Sequence, residues 1–154
     1  MPNEIRETIK NYYEVYFGIS AIYEKLAKMY GLTSSSLFVL HTIYENQNGC
    51  TQRFICERLL YPKQTVNTIL DMFEKKGYIS KEIANADKRN KYIVLTEAGM
   101  QYAAGVLSDM LRMEELSFSN MDASERKAMV NGERAFLEQL TQILHLLEQE
   151  NHKS

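Results

Sequence analysis

Between Thr51 and Leu95 the spacing of apolar side chains switches once, from the helical repeat to every second residue, and the switch falls at Gly77. Ahead of it, Phe54, Ile55, Cys56 and Leu59 mark a short helix that starts at Thr51 and stops at Tyr61-Pro62. A proline ring suits the first position of a helix but disfavours helical geometry in the residue before it, so Pro62 is expected to end one helix and open the next. That next helix runs to about Lys76, with Val66, Ile69, Leu70 and Phe73 facing inward and Gly77 placed to stop it. Its opening residues Lys63, Gln64, Thr65, Asn67 and Thr68 are polar and face outward. Beyond Gly77, Tyr78–Ile83 alternates as a strand, 85–90 reads as a turn, and Tyr92–Leu95 is the return strand. Two short helices joined by a tight turn and followed by a hairpin make a winged helix-turn-helix.

The flanks are helical. Ile5, Ile9, Tyr12, Tyr13, Tyr16, Phe17, Tyr23, Leu26, Ala27 and Tyr30 recur at helical spacing between Pro2 and Gly31. Thr33 can cap a second helix whose stripe is Leu37, Phe38, Leu40, Ile43 and Tyr44. Thr96 can cap a fifth helix to about Ser117, and Asp122 with Glu125 forms a capping box for a sixth, to about Glu148. In the last helices Phe118, Met121, Met129, Phe136, Leu137, Leu140, Ile143, Leu144 and Leu147 exceed what one buried stripe needs. The fold class is therefore expected to be mainly α with a small β-hairpin wing. Residues 1–32 form an N-terminal dimerisation helix, 33–95 a winged helix-turn-helix DNA-binding module, and 96–154 C-terminal dimerisation helices.

Charge is distributed unevenly. The whole chain carries 18 Lys and Arg against 20 Asp and Glu, a net charge of -2. Within 51–91, however, nine bases (Arg53, Arg58, Lys63, Lys75, Lys76, Lys81, Lys88, Arg89, Lys91) face five acids (Glu57, Asp71, Glu74, Glu82, Asp87). A basic module between acidic flanks is the electrostatic footprint expected for a polyanion partner. No apolar run approaches the roughly 18 residues of a membrane span, and no leader segment is evident, so a cytoplasmic protein without a membrane partner is expected. Cys50 and Cys56 are too few for a disulfide scaffold, and their spacing matches no common zinc motif. Gly-rich phosphate loops, nucleophile elbows and metalloprotease motifs are absent, so neither an enzyme nor a cofactor is expected.

The run Phe73-Glu74-Lys75-Lys76-Gly77-Tyr78-Ile79, followed by Asp87-Lys88-Arg89 and Leu95-Thr96-Glu97-Ala98-Gly99, resembles the recognition-helix end and wing of the MarR family. The resemblance extends over nearly the whole chain, including the long terminal helices. Two departures stand out: Ile55-Cys56 where the family usually has Leu-Ala, and Tyr61 where a Ser often precedes the recognition helix. The second removes a side-chain cap and leaves the helix N–H groups more available to a phosphate.

The resemblance implies a DNA-binding transcriptional regulator, read as a repressor, acting as a homodimer on a palindromic operator and relieved by a small aromatic ligand. Recognition-helix N-termini reach base edges, which nominates Lys63, Gln64, Thr65, Asn67 and Thr68; Gln64 and Asn67 can each read an adenine edge. In the resembled family the wing enters the minor groove, which assigns Arg89 there with Asp87 orienting its guanidinium. Arg53, Lys88, Asn90 and Lys91 are candidates for phosphate contacts. For an effector, Tyr12, Tyr16, Phe38, His41 and Tyr44 are candidates to line a cleft, against the alternative that they are ordinary core and interface aromatics. No metal site is expected, because His41, His145 and His152 are scattered. Cys56 reads as an inert core residue and Cys50 as a loop thiol that is a candidate for redox activity. The competing reading is a helical protein-interaction module without DNA binding.

Overall fold

The computed structural model describes residues 3–83 and 91–151 of the chain, which divides into two units, Met1–Met110 and Leu111–Ser154. The first unit opens with α1 (Asn3–Met29) and α2 (Ser34–Glu45). Gly31, at φ +70°, ends α1 with the Leu32 N–H reaching back to the Ala27 carbonyl and the Gly31 N–H to that of Lys28. This left-handed stop satisfies carbonyls that the last turn of a helix leaves unpaired. The Thr33 hydroxyl then accepts the Ser36 N–H and starts α2.

Two more threonines repeat that role. Thr51 accepts the Phe54 N–H to begin α3 (Gln52–Leu59), and Thr96 accepts the Gly99 N–H to begin α5 (Glu97–Ser119). Between them lie α4 (Lys63–Lys75) and the antiparallel strands β1 (Ile79–Ile83) and β2 (Lys91–Leu95), in register Ile79 with Leu95 and Lys81 with Ile93. Gly77, at φ +74°, closes α4 by the same two backward bonds that Gly31 provides for α1, Tyr78 N–H to Phe73 carbonyl and Gly77 N–H to Glu74 carbonyl. Because Tyr78 is engaged in this stop, β1 begins at Ile79, one residue later than the alternation suggests.

The core of this unit is where the apolar spacing places it. Leu37, Leu40 and Ile43 of α2, Ile55 of α3, and Val66, Leu70 and Phe73 of α4 are sealed from solvent, joined by Ala103 and Val106 of α5. Phe38 and Tyr44, assigned to the same α2 stripe, are only half-buried.

Three local expectations need correction. The α3 helix ends not at Tyr61-Pro62 but at Leu60, which adopts the left-handed conformation at φ 55° and reverses the chain before the proline. Pro62 is accordingly the extended residue that immediately precedes α4 rather than its first helical residue. The cysteines exchange roles: Cys50 is fully buried and Cys56 half-buried. The cause is a third extended segment that the alternation did not show. The Cys50 carbonyl accepts the Ile93 N–H at 2.8 Å and Thr51 pairs with Tyr92, so Cys50 is drawn inside along the free edge of β2. Burial pushes the Cys50 thiol up to about 11, which leaves it protonated and unreactive at neutral pH.

The second unit contains the end of α5 and α6 (Ala123–Asn151). The Glu125 carboxylate accepts the Asp122 N–H at 2.8 Å, half of the expected capping box. The Arg126 guanidinium also binds the carbonyls of Phe118 and Met121, closing the turn that enters α6. No residue of α6 is buried. Among the described residues no helix is long and apolar enough to cross a membrane, and no group of three or more His, Cys, Asp or Glu could hold a metal ion.

Candidate nucleic-acid interface

The start of α4 differs from those of α2, α3 and α5 in having no side-chain cap. Pro62 offers none, and the first turn holds no acid but does hold Lys63. Uncapped N–H groups at the positive end of the helix dipole, beside an ammonium group, have no internal anion to satisfy them. Such an end accepts a phosphate readily.

Lys63, Gln64, Asn67 and Thr68 stand exposed around this terminus, as their spacing predicts, whereas Thr65 is half-buried. The Thr68 hydroxyl donates back to the Gln64 carbonyl at 3.0 Å, and the Asn67 amide donates to Asp71 at 3.3 Å. Both bonds lie at the surface, so the side chains can exchange them for other partners at small cost.

Gln52, a residue the sequence did not single out, ties α3 to this region: its amide donates to the Lys63 carbonyl at 3.4 Å. Its neighbour Arg53 is exposed and pairs with Glu57 at 2.7 Å, a bond that raises the guanidinium pKa further. An exposed pair one helical turn apart is worth only about 0.3–0.5 kcal/mol, so Arg53 is held in place without being locked. Arg53, Lys63, Lys81 and Lys91 all line one hollow of about 520 Å³ bounded by α3, α4 and the hairpin, together with Cys56, Leu70 and Ile93. The fold thus gathers three predicted phosphate or groove residues, far apart in sequence, around a single basic concavity.

Lys81 is different in kind. Its ammonium lies 3.5 Å from Asp71 and 3.2 Å from Glu74, and its side chain is 21% exposed. It fastens β1 to the outer side of α4, and its charge is already compensated by acids of that helix. The segment total already sets Asp71 and Glu74 against it, so the net positive charge of the segment comes from its other bases. Asp87, Lys88, Arg89 and Asn90, the expected wing tip, lie outside the described residues.

The effector candidates fall on two helices of the first unit. Tyr12 and Tyr16 stack at 5.9 Å on α1, within an aromatic row that continues through Tyr13 and Phe17. On α2, Phe38 rests against Tyr23 at 5.2 Å, and His41 and Tyr44 are half-buried. Glu24, on α1, accepts the Ser34 N–H at the start of α2 at 2.9 Å, a bond that lowers its pKa.

The MarR family profile matches residues 30–90 of the chain, a span that holds α2, α3, α4 and β1. The HTH-type transcriptional regulator SarZ of Staphylococcus aureus is 30% identical over 117 residues, covering 75% of this chain and 76% of that protein. A second regulator, YwhA of Bacillus subtilis, is 26% identical over 93 residues, covering 60% of this chain and 66% of that protein, just under two thirds of its length. Among solved structures, the complex of S. aureus MepR with DNA superposes with a TM-score of 0.73 over 85% of this chain and 96% of that one, at 23% identity, a likeness of fold.

Proposed function

The chain belongs to the MarR family, and from that premise we propose that it regulates transcription in the cytoplasm as a homodimer that binds a palindromic duplex and represses from it. It is a regulator and not an enzyme. The observation that carries the DNA reading is the uncapped α4 terminus, where Lys63, Gln64, Asn67 and Thr68 are exposed beside a hollow shared with Arg53 and Lys91. Base edges in a major groove are within the chemistry of Gln64 and Asn67, while Lys63, Arg53 and Lys91 suit phosphates on either side. MepR, which shares this fold, has been solved in complex with DNA, and that supports the DNA-binding reading. The family resemblance adds Arg89 as the minor-groove residue of the wing and Asp87 as its support.

A second copy is the partner we assign to the apolar faces of α1 and α6. On α1, Tyr13, Tyr16, Phe17 and Ile22 are each about half exposed or more, and on α6 Leu137, Leu140, Ile143 and Leu144 are likewise. Residues 1–32 and 96–154 then supply the dimer frame and 33–95 the DNA-binding module. Two recognition helices carried by one frame reach half-sites about one helical turn, roughly 34–36 Å, apart.

The test is selection from a random duplex pool at low salt, followed by titration of the recovered sequence at rising salt. We expect a palindrome, and an affinity that falls steeply with salt because each neutralised phosphate adds about -0.9 to the logarithmic slope. No retention on duplex DNA would favour the protein-interaction reading instead.

A further inference from the structure

The recognition helix ends against a chain of side chains that the DNA-facing surface does not use. The Tyr78 N–H is bonded to the Phe73 carbonyl at 2.9 Å and the Tyr78 carbonyl to the Thr96 N–H at 3.0 Å, while the Thr96 hydroxyl donates to the Gly77 carbonyl at 2.6 Å. Gly99, in the first turn of α5, is pressed so close that a Cβ there would lie 1.8 Å from the Tyr78 carbonyl oxygen. The backbone at Tyr78 therefore cannot shift without moving the end of α4 or the start of α5.

From this anchored point the contacts continue through side chains. The Tyr78 ring stacks on that of Tyr102 in α5, with centroids 4.3 Å apart and planes 12° from parallel. The Tyr102 hydroxyl donates to the Tyr30 carbonyl at 2.9 Å, just past the end of α1, and the Tyr30 hydroxyl donates to Asp109 further along α5. Burial raises the pKa of Tyr102, and the bond to Asp109 raises that of Tyr30, so both hydroxyls remain donors at neutral pH.

We propose that Tyr102 is a positioning residue that sets the angle between the recognition helix and α1, holding the end of α4 through its ring and the end of α1 through its hydroxyl. The inference rests on the dimeric DNA-binding reading, in which α1 is part of the frame and this angle governs the separation of the two recognition helices. A tyrosine suits the role because one rigid side chain presents an apolar face for stacking and a polar tip for a backbone carbonyl. Phenylalanine at this position would keep the stack and lose the link to α1.

The experiment titrates the selected palindrome, and versions with one to three base pairs added or removed between half-sites, with wild type, Tyr102→Phe and Tyr102→Leu, alongside thermal unfolding. Wild type is expected to prefer one spacing. Tyr102→Phe is expected to lose about fivefold or more in affinity at that spacing and little at the others, flattening the profile, with Tyr102→Leu flattening it further. A merely structural tyrosine would lower the unfolding midpoint and leave the spacing profile parallel to that of wild type, and that result would overturn the proposal. Should Tyr102→Leu fail to fold, Tyr102→Phe, which retains the ring, decides the matter alone. If wild type itself binds at no spacing, the DNA reading fails and this proposal with it, an outcome distinct from coincident profiles.

Discussion

In the helix-turn-helix module, α2 and α4 lose their apolar side chains from solvent completely at Leu37, Leu40, Ile43, Val66, Leu70 and Phe73. In α6, 29 residues long, nothing is buried, and Leu137 and Leu144 remain 63% and 58% exposed. The two regions draw on the same residue types, so hydrophobic content does not separate them. What separates them is whether other elements of the chain come to cover the stripe. Removing apolar surface from water is worth about 25 cal/mol per Å². Short helices such as α3 and α4 are marginal alone and depend on that covering, so the module closes within one chain. The α6 face retains the same unspent driving force and directs it outward, toward the second copy we propose.

The contrast is most severely tested at Phe73. Replacing this sealed ring by alanine should cost about 3–5 kcal/mol of stability, measured by urea unfolding, because a cavity opens where α4 meets the rest of the module. A loss below about 1 kcal/mol would mean that the site is not the close-packed core described. On α6 the paired change Leu140→Asp with Leu144→Asp should weaken self-association by about 2–4 kcal/mol or more. Sedimentation would then show the 17.9 kDa species at concentrations where wild type runs at twice that mass. An unchanged sedimentation pattern would assign the face to something other than a second copy.

The smallest effect distinguishes two lysines of the same hollow. Lys63→Met should reduce the salt slope of DNA binding by about 0.9, whereas Lys81→Met should leave it unaltered, since Asp71 and Glu74 already neutralise that ammonium. Lys81→Met should also cost no more than about 1 kcal/mol of stability, because its partners are half exposed. Equal slopes for the two variants would remove the distinction between a surface charge and a fastening one.

Much of the architecture was legible because its signals are local. A threonine ahead of an apolar repeat, a glycine where a left-handed residue is required, and the change of period at Gly77 act within a few residues, so Thr33, Thr96, Gly31 and Gly77 behave as read. The outward face of α4 followed for the same reason, since inward and outward positions are complementary on one helix. What escaped depends on residues distant in sequence. Cys50 sits in what reads as a loop, and only pairing with β2, some forty residues later, makes it core. Lys81 looks like any strand lysine until the hairpin folds back on the acids of α4. Leu60 gave no hint of a left-handed turn, because leucine ordinarily avoids that conformation and only the closure of α3 against α4 holds it there.

Periodicity and capping chemistry, which are properties of short stretches, were enough to determine six helices, a hairpin and the side of α4 that faces out. The tertiary structure alone decided which cations share a hollow, which charge is already compensated, which cysteine is sealed, and how Tyr102 comes to touch both Tyr78 and Tyr30. Those outcomes require segments separated by tens of residues to meet, and the free energy that selects them resides in the packed contacts rather than in any local run of the chain.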